Sequence, residues 1–266
     1  MAIRPVNTNF LRLKPAQSPL RGLNDLHARN ISAKANSWSR DLYPAIQHIL
    51  RLTKDGIIDQ RTKIRNVATW NYFQRFACRA KTADDRELVI STLFNMIKIH
   101  DKYTAIHCIQ TRDWAISIAC QLGFHQKEID AIGVAAYLHD LGKIGVPRNI
   151  LQKQGGLNKE EMSHIREVHV TFGYSLLKDC GWANDILEMI KYHHYIKSYP
   201  QGIEPGKAPV GARILAVADS VEAATAGRVY EKEKTLKTVL RELRVIKNNY
   251  DQDVVDAFEI LIKKPR

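Results

Sequence analysis

Residues 158–177 read NKEEMSHIREVHVTFGYSLL. Asn158 followed three residues later by Glu161 is a capping box, in which each side chain satisfies a backbone N–H that the first helical turn leaves without a partner. Met162, Ile165, Phe172 and Leu176 then recur at spacings that place them on one face of a helix. The stretch is expected to be an amphipathic helix packed through that face. His169 stands inside the apolar stripe, so an ionisable ring is aimed where a core should be.

The same period runs on either side. Ile90, Phe94 and Ile97 share a face within residues 84–100, Leu236, Val239, Leu243 and Ile246 form another stripe, and Val254, Phe258 and Leu261 a third. Gly123 after Leu122 reads as a helix stop. No stretch alternates convincingly at period two, so the fold class is all-α, a helical bundle. Upstream, residues 1–37 carry Pro5, Pro15 and Pro19 among Arg, Lys and Asn without a clear period and read as a flexible arm. A short amphipathic helix is expected near Leu42, Ile46, Ile49 and Leu50. A second, over residues 58–80, interleaves Trp70, Tyr72, Phe73 and Phe76 with Arg61, Lys63, Arg65, Arg75 and Arg79. Such a mixture stacks on single-stranded nucleic acid or packs against a neighbouring helix. The chain is divided on this reading into a basic region, 1–98, and a helical domain, 99–266.

Charge follows the same division. Of the net charge of +12, residues 1–98 hold +10, with 17 Lys/Arg against 7 Asp/Glu. A basic region suits an acidic partner, though a solvated face that keeps the protein soluble is the simpler explanation of the charge. No apolar run approaches the ~18 residues of a membrane span, and Met1–Lys14 lacks the apolar core of a signal peptide, so a cytoplasmic protein without a transmembrane segment is expected. Cys78, Cys108, Cys120 and Cys180 form no C-x-x-C pair. They are expected to be free buried thiols, without structural zinc or a disulfide framework.

The histidines carry the chemistry. His107 shares a helical face with Thr111, Trp114 and Ile118, and His139 with Ile132 and Ala136. His193 and His194 flank the stripe of Ile186 and Ile190, and Asp219 lies among Leu215, Ala218 and Glu222. One inward histidine is ordinarily a hydrogen-bonded core residue. Five histidines and two aspartates on inward faces are costly to bury unless something satisfies them together. A metal centre does so, and imidazole with carboxylate is a ligand set for Fe, Mn or Zn. The steps between ligands each span about one helix out and back, which returns every ligand to one level of a bundle. Asp140, beside His139, can bridge two ions through its two oxygens. Two bridged ions make hydroxide available at neutral pH and clamp both oxygens of an in-line phosphoryl displacement. Lys143 either serves the phosphate and leaving oxygen or is a solvated lysine beyond a helix end.

Taken in order, LHDLGKIGVP (138–147), ARILAVAD (212–219) and YDQDVVDAF (250–258) resemble the HD-GYP family of bacterial cyclic dinucleotide phosphodiesterases, a branch of the HD metal-dependent phosphohydrolases. Thr104 and His107 match the family's T-x-x-H, His169 with Gly173 its third-histidine helix, and His193-His194 its double histidine. The resemblance covers about residues 100–260. It implies an HD bundle in which His107, His139, Asp140 and Asp219 hold one metal. Asp140 would bridge to a second held by His169, His193 and His194. It implies two divalent ions, Fe or Mn, with Glu222 at a position that some members use to complete a three-metal site. Lys143 would be the active-site lysine, and Arg228, Lys232 and Tyr199 would lie along the substrate. One departure is large. The family loop H-H-E-x-x-D-G-x-G-Y-P is here HHYIKSYP (193–200), three residues shorter, without the Glu, the Asp and both glycines. Tyr103 replaces a Glu found in three-metal members, and Glu231 replaces a basic residue. The implied activity is metal-dependent hydrolysis of a cyclic dinucleotide such as cyclic di-GMP. A different HD phosphohydrolase acting on a nucleotide or oligonucleotide, and a non-catalytic module with a vestigial site, stand as alternatives.

Overall fold

The structure is a computed structural model that describes residues 74–78, 80–153, 157–194, 207–226, 233–246 and 249–264. Every regular element among these is helical. The expected arm, the helix near Leu42–Leu50, most of the helix over 58–80, and Tyr199, Arg228 and Lys232 lie outside the described residues.

After a helical turn at 74–77, nine α-helices are described from end to end: α1 (Ala83–His100), α2 (Lys102–Gln121), α3 (Gln126–Leu138), α4 (Arg148–Leu151), α5 (Lys159–Leu177), α6 (Asn184–Tyr192), α7 (Val210–Thr225), α8 (Leu236–Val245) and α9 (Gln252–Lys263). Two short 3-10 turns, Leu141–Gly145 and Gly181–Ala183, follow α3 and precede α6. Their ends obey local chemistry. The Asn158–Glu161 capping box forms at α5, and Thr82 with Asp85 makes another at α1. Asp101 closes α1 and caps α2, accepting from the Thr104 N–H at 2.9 Å and the Thr104 hydroxyl at 2.8 Å. Gly123 ends α2 in the left-handed region, φ +79°, which glycine adopts without steric cost.

α2 is the hub, packing on α1, α3, α7 and α9, while α5 lies on the 3-10 turn after α3. Phe94 of α1 stacks on Tyr137 of α3 with centroids 3.8 Å apart, and Trp114 of α2 meets Phe258 of α9 edge-on at 5.6 Å. Phe258 is fully buried, and truncating such a ring costs about 3–5 kcal/mol.

Three expectations are corrected. α1 is buried nearly all round, with Leu93 and Met96 wholly enclosed, so the boundary drawn at 98/99 runs through a core helix. Its sequence, LVISTLFNMI over 88–97, carries apolar residues on all sides, the mark of a central helix. Ile246 is exposed, beyond the last turn of α8, so that stripe ends at Leu243. Finally, Cys78 and Cys180 are joined in a disulfide, and Cys120 is exposed; only Cys108 is a buried free thiol. The paired cysteines stand 102 residues apart and meet only because the fold docks their segments.

Candidate metal centre

The site forms where helix ends converge on the middle of α2 and α7. His107 projects from α2 and Asp219 and Glu222 from α7. His139 closes α3 and Asp140 opens the 3-10 turn. His169 projects from the middle of α5, and His193-His194 follow the last turn of α6. The His139–Asp140 pair therefore sits at a helix end, not within a helix. Asp140 has φ −94° and ψ 11°, and this turn, more than the angular step of a continuing helix, separates the two side chains.

Three of the rings are oriented by their own helices. Nδ1 of His139, His169 and His193 donates to the carbonyls of Ala136, Ile165 and Ile190 at 2.7, 2.7 and 2.6 Å. That bond places the proton on Nδ1 and leaves the Nε2 lone pair facing inward. His169 Nε2 and His193 Nε2 then face each other at 3.3 Å, as two acceptors with no proton between them. Burial lowers the basicity of both rings, that of His169 to about 4, so neither is protonated near neutral pH. Burial, then His169, brings His194 to about 3. Neutral lone pairs aimed at one point form a site that a cation satisfies.

The other half is richer in carboxylate. His107 Nε2 lies 3.0 Å from Asp219 Oδ1 and 3.6 Å from Asp140 Oδ2, and its Nδ1 donates to Glu222. Burial opposes a charge on His107, but the hydrogen bonds to Asp219 and Glu222 hold its pKa up at about 10. Burial likewise opposes charge on Asp140, which Lys143 and the surrounding histidines outweigh, keeping it ionised well below the usual carboxylate range. Asp219 is held low by His107 against the same opposition.

Asp140 joins the halves. Its Oδ2 lies 3.6 Å from His107 and 3.5 Å from His139, and its Oδ1 lies 3.8 Å from His169. Two groups able to hold a metal ion result, His107–His139–Asp140 and His169–His193–His194, each with its donor atoms within 4.8 Å of one another. Asp219 also spans the halves, with Oδ1 toward His107 and Oδ2 3.9 Å from His194. Lys143 Nζ donates to Asp140 Oδ2 at 2.6 Å, so it is a pocket residue and not a solvated one. Glu222 serves here as the outer partner of His107 Nδ1.

One contributor escaped the sequence reading. A Cβ on Gly142 would stand 1.8 Å from the His169 carbonyl oxygen and 2.7 Å from Gly173 N. Only glycine lets the turn after Asp140 lie on α5 closely enough for Asp140 and His169 to meet. The available signal was the pair of glycines, Gly142 three residues after His139 and Gly173 four after His169.

Residues 87–254 match the family model described as HD domain. Over 193 residues, 69% of this chain, the sequence is 32% identical to the cyclic di-GMP phosphodiesterase response regulator RpfG of Xanthomonas campestris, of which the match covers 50%. It is 29% identical over 170 residues to a 3'3'-cGAMP-specific phosphodiesterase 2 of Vibrio cholerae, covering 62% of this chain and 32% of that protein. The chain thus spans half or less of the length of these relatives. In fold it is similar to Bd1817, an HDG"Y"P protein from Bdellovibrio bacteriovorus, with a TM-score of 0.52 at 13% identity, over 83% of this chain and 68% of that one. No described helix is long and apolar enough to cross a membrane.

Proposed function

Since the chain belongs to the HD domain family, and to the HD-GYP branch whose motifs it carries, we propose that it is a metal-dependent phosphodiesterase acting on a cyclic dinucleotide. The observation that carries this reading is Asp140, which turns one oxygen to each of two donor groups inside a buried pocket. His107, His139, Asp140 and Asp219 would hold one divalent ion, and Asp140 with His169, His193 and His194 a second. The all-N/O donor set suits Fe or Mn. Bound there, two ions would supply activated water and neutralise charge on the phosphoryl oxygens.

The chain's own residues do the rest. The carbonyls of Ala136, Ile165 and Ile190 fix three imidazoles as Nε2 donors. Glu222 fixes His107 from outside. Lys143 keeps Asp140 ionised and brings a positive charge to the pocket, where a phosphodiester would meet it. Attack of water at phosphorus would break one ester bond of the ring and yield a linear dinucleotide. Tyr199, Arg228 and Lys232 would contact the substrate, and an acidic partner would meet residues 1–98.

Anaerobically purified protein should carry about two transition-metal ions per chain and hydrolyse at least one of cyclic di-GMP, 3'3'-cGAMP and linear dinucleotides. Metal-free protein after reconstitution, or loaded protein inert on the whole panel, would overturn the proposal. The loop HHYIKSYP favours a second reading within the same chemistry. Three residues shorter and without the glycines that admit close backbone approach, it points away from cyclic di-GMP as best substrate and toward another cyclic dinucleotide, a nucleotide or an oligonucleotide. Relative rates on that panel decide between them.

A further inference from the structure

The turn that carries Asp140 and Lys143 is pressed between α5 and the end of α1. On the α5 side the approach is close, with Gly142 against the His169 backbone and Gly145 against the Phe172 ring. Close packing of this kind fixes a distance; a directional bond fixes an orientation. The corner between α1 and α2 supplies such bonds to the segment that follows the turn. His100 Nε2 donates to the Val146 carbonyl at 2.9 Å, Arg148 Nη2 donates to the Ile99 carbonyl at 2.9 Å, and Gln152 Nε2 donates to Asp101 Oδ1 at 3.2 Å. Three consecutive residues, 99–101, thus grip a segment 46 to 51 residues further along the chain. Asp101 is itself fixed as the cap of α2. Of the three bonds, the one from His100 lies next to the turn, and both of its partners are buried.

We propose that His100 is a positioning residue for the pocket, its ring orienting the Asp140–Lys143 turn through the Val146 carbonyl. The inference rests on the phosphodiesterase reading of that pocket. The bonds run in series. His100 Nε2 donates to Val146 O, Val146 N donates to Lys143 O at 2.9 Å, and Lys143 N donates to Asp140 O at 2.9 Å. Each bond holds one peptide plane, so the place of the ring on α1 sets the planes that lead back to Asp140. Keeping that turn closed lets Lys143 Nζ, three residues on, reach Asp140 Oδ2 at 2.6 Å. The buried Val146 carbonyl is costly to leave without a donor. Burial also lowers the pKa of His100, so the ring is neutral near neutral pH and its single proton sits on Nε2, where the carbonyl accepts it. His100 belongs to neither donor group; it acts on the pocket only through the backbone of the turn.

The test uses the full chain with its metals. Acetylation of Lys143 by N-hydroxysuccinimidyl acetate, followed by peptide mass spectrometry, reads whether its ammonium sits on Asp140, with exposed Lys159 as internal reference. His100→Leu keeps much of the bulk but has no donor, and should raise Lys143 acetylation about ten-fold. His100→Gln carries an N–H at the same reach and should return the rate most of the way to that of the native chain. Val239→Ala loosens the buried face of α8, which packs on α7 and α9, and should leave Lys143 protected. On any dinucleotide that the native chain hydrolyses, His100→Leu should lower kcat about 100-fold with little change in KM, and His100→Gln should restore it. Unchanged Lys143 acetylation in His100→Leu would overturn the proposal. So would equal release of Lys143 by His100→Leu and His100→Gln, or by His100→Leu and Val239→Ala. His100→Asn, whose amide stops short of Val146, serves if the Leu variant does not fold. A native chain inert on every dinucleotide counts against the phosphodiesterase reading alone, because the acetylation measurement needs no substrate.

Discussion

The two halves of the pocket solve one problem in opposite ways. Around His107 the protein gathers carboxylates, Asp219 and Glu222 with Asp140, and the imidazole is drawn to a pKa of about 10. Around His169, His193 and His194 it gathers rings kept neutral by burial, and the negative charge near them comes from the far oxygens of Asp140 and Asp219. The first half brings its own counter-charge to a cation; the second borrows it. The difference teaches that the halves are unequal partners. The imidazole half should depend on the shared aspartates more than the carboxylate half depends on the imidazoles.

Four substitutions probe that inequality. Asp140→Ala removes the shared oxygens and should have the largest effect, a loss of turnover of roughly 10³-fold or more, with metal content reduced in both halves and helicity retained by circular dichroism. Unchanged turnover with a full metal complement would show that the halves do not share this residue. His193→Ala removes one ring from the borrowing half only. Metal analysis should fall from about two ions per chain to about one, and loss of both would mean that the halves cannot be separated. Gly142→Ala drives a methyl into the His169 backbone. A thermal melt should register about 1–3 kcal/mol of destabilisation, with the His169 half losing metal first; an unshifted melt would contradict the close crossing. Glu222→Gln keeps the shape but withdraws a charge from His107. It should cost about ten-fold in affinity for the ion of the carboxylate half, read by chelator competition. An equal loss from both halves would erase the distinction.

Much of this was legible because it broke a pattern. Helices declare themselves by period, and His169 was visible as a basic ring inside the Ile165–Phe172–Leu176 stripe. The same anomaly exposed His107, His139 and Asp219, and their helical spacing brought them to one level. Contacts that depend on backbone atoms left no such trace. The carbonyls of Ala136, Ile165 and Ile190 belong to residues of ordinary type, so the choice of Nε2 as donor could not be read from side chains. Asp219 facing His194 needed the rotation of α7 about its axis, which periodicity leaves free within a residue or so. The Cys78–Cys180 pair is a long-range meeting of two unremarkable positions. α1 was legible only in part: its apolar residues run all round, whereas Ile90, Phe94 and Ile97 mark a single face.

The carbonyl partners of the three rings have a consequence for how such a pocket persists through sequence change. In each case the group that aims the imidazole lies three or four residues back on the same helix. The aim is thus a property of the helix and travels with it. Neighbouring helices are free to drift in sequence and in tilt without turning these rings, and no second side chain has to change in step. For protein engineers, a histidine whose Nδ1 rests on its own helix is a portable donor unit. Two such helix ends and one mid-helix ring set around one shared aspartate amount to a recipe for a buried binuclear pocket in an unrelated bundle.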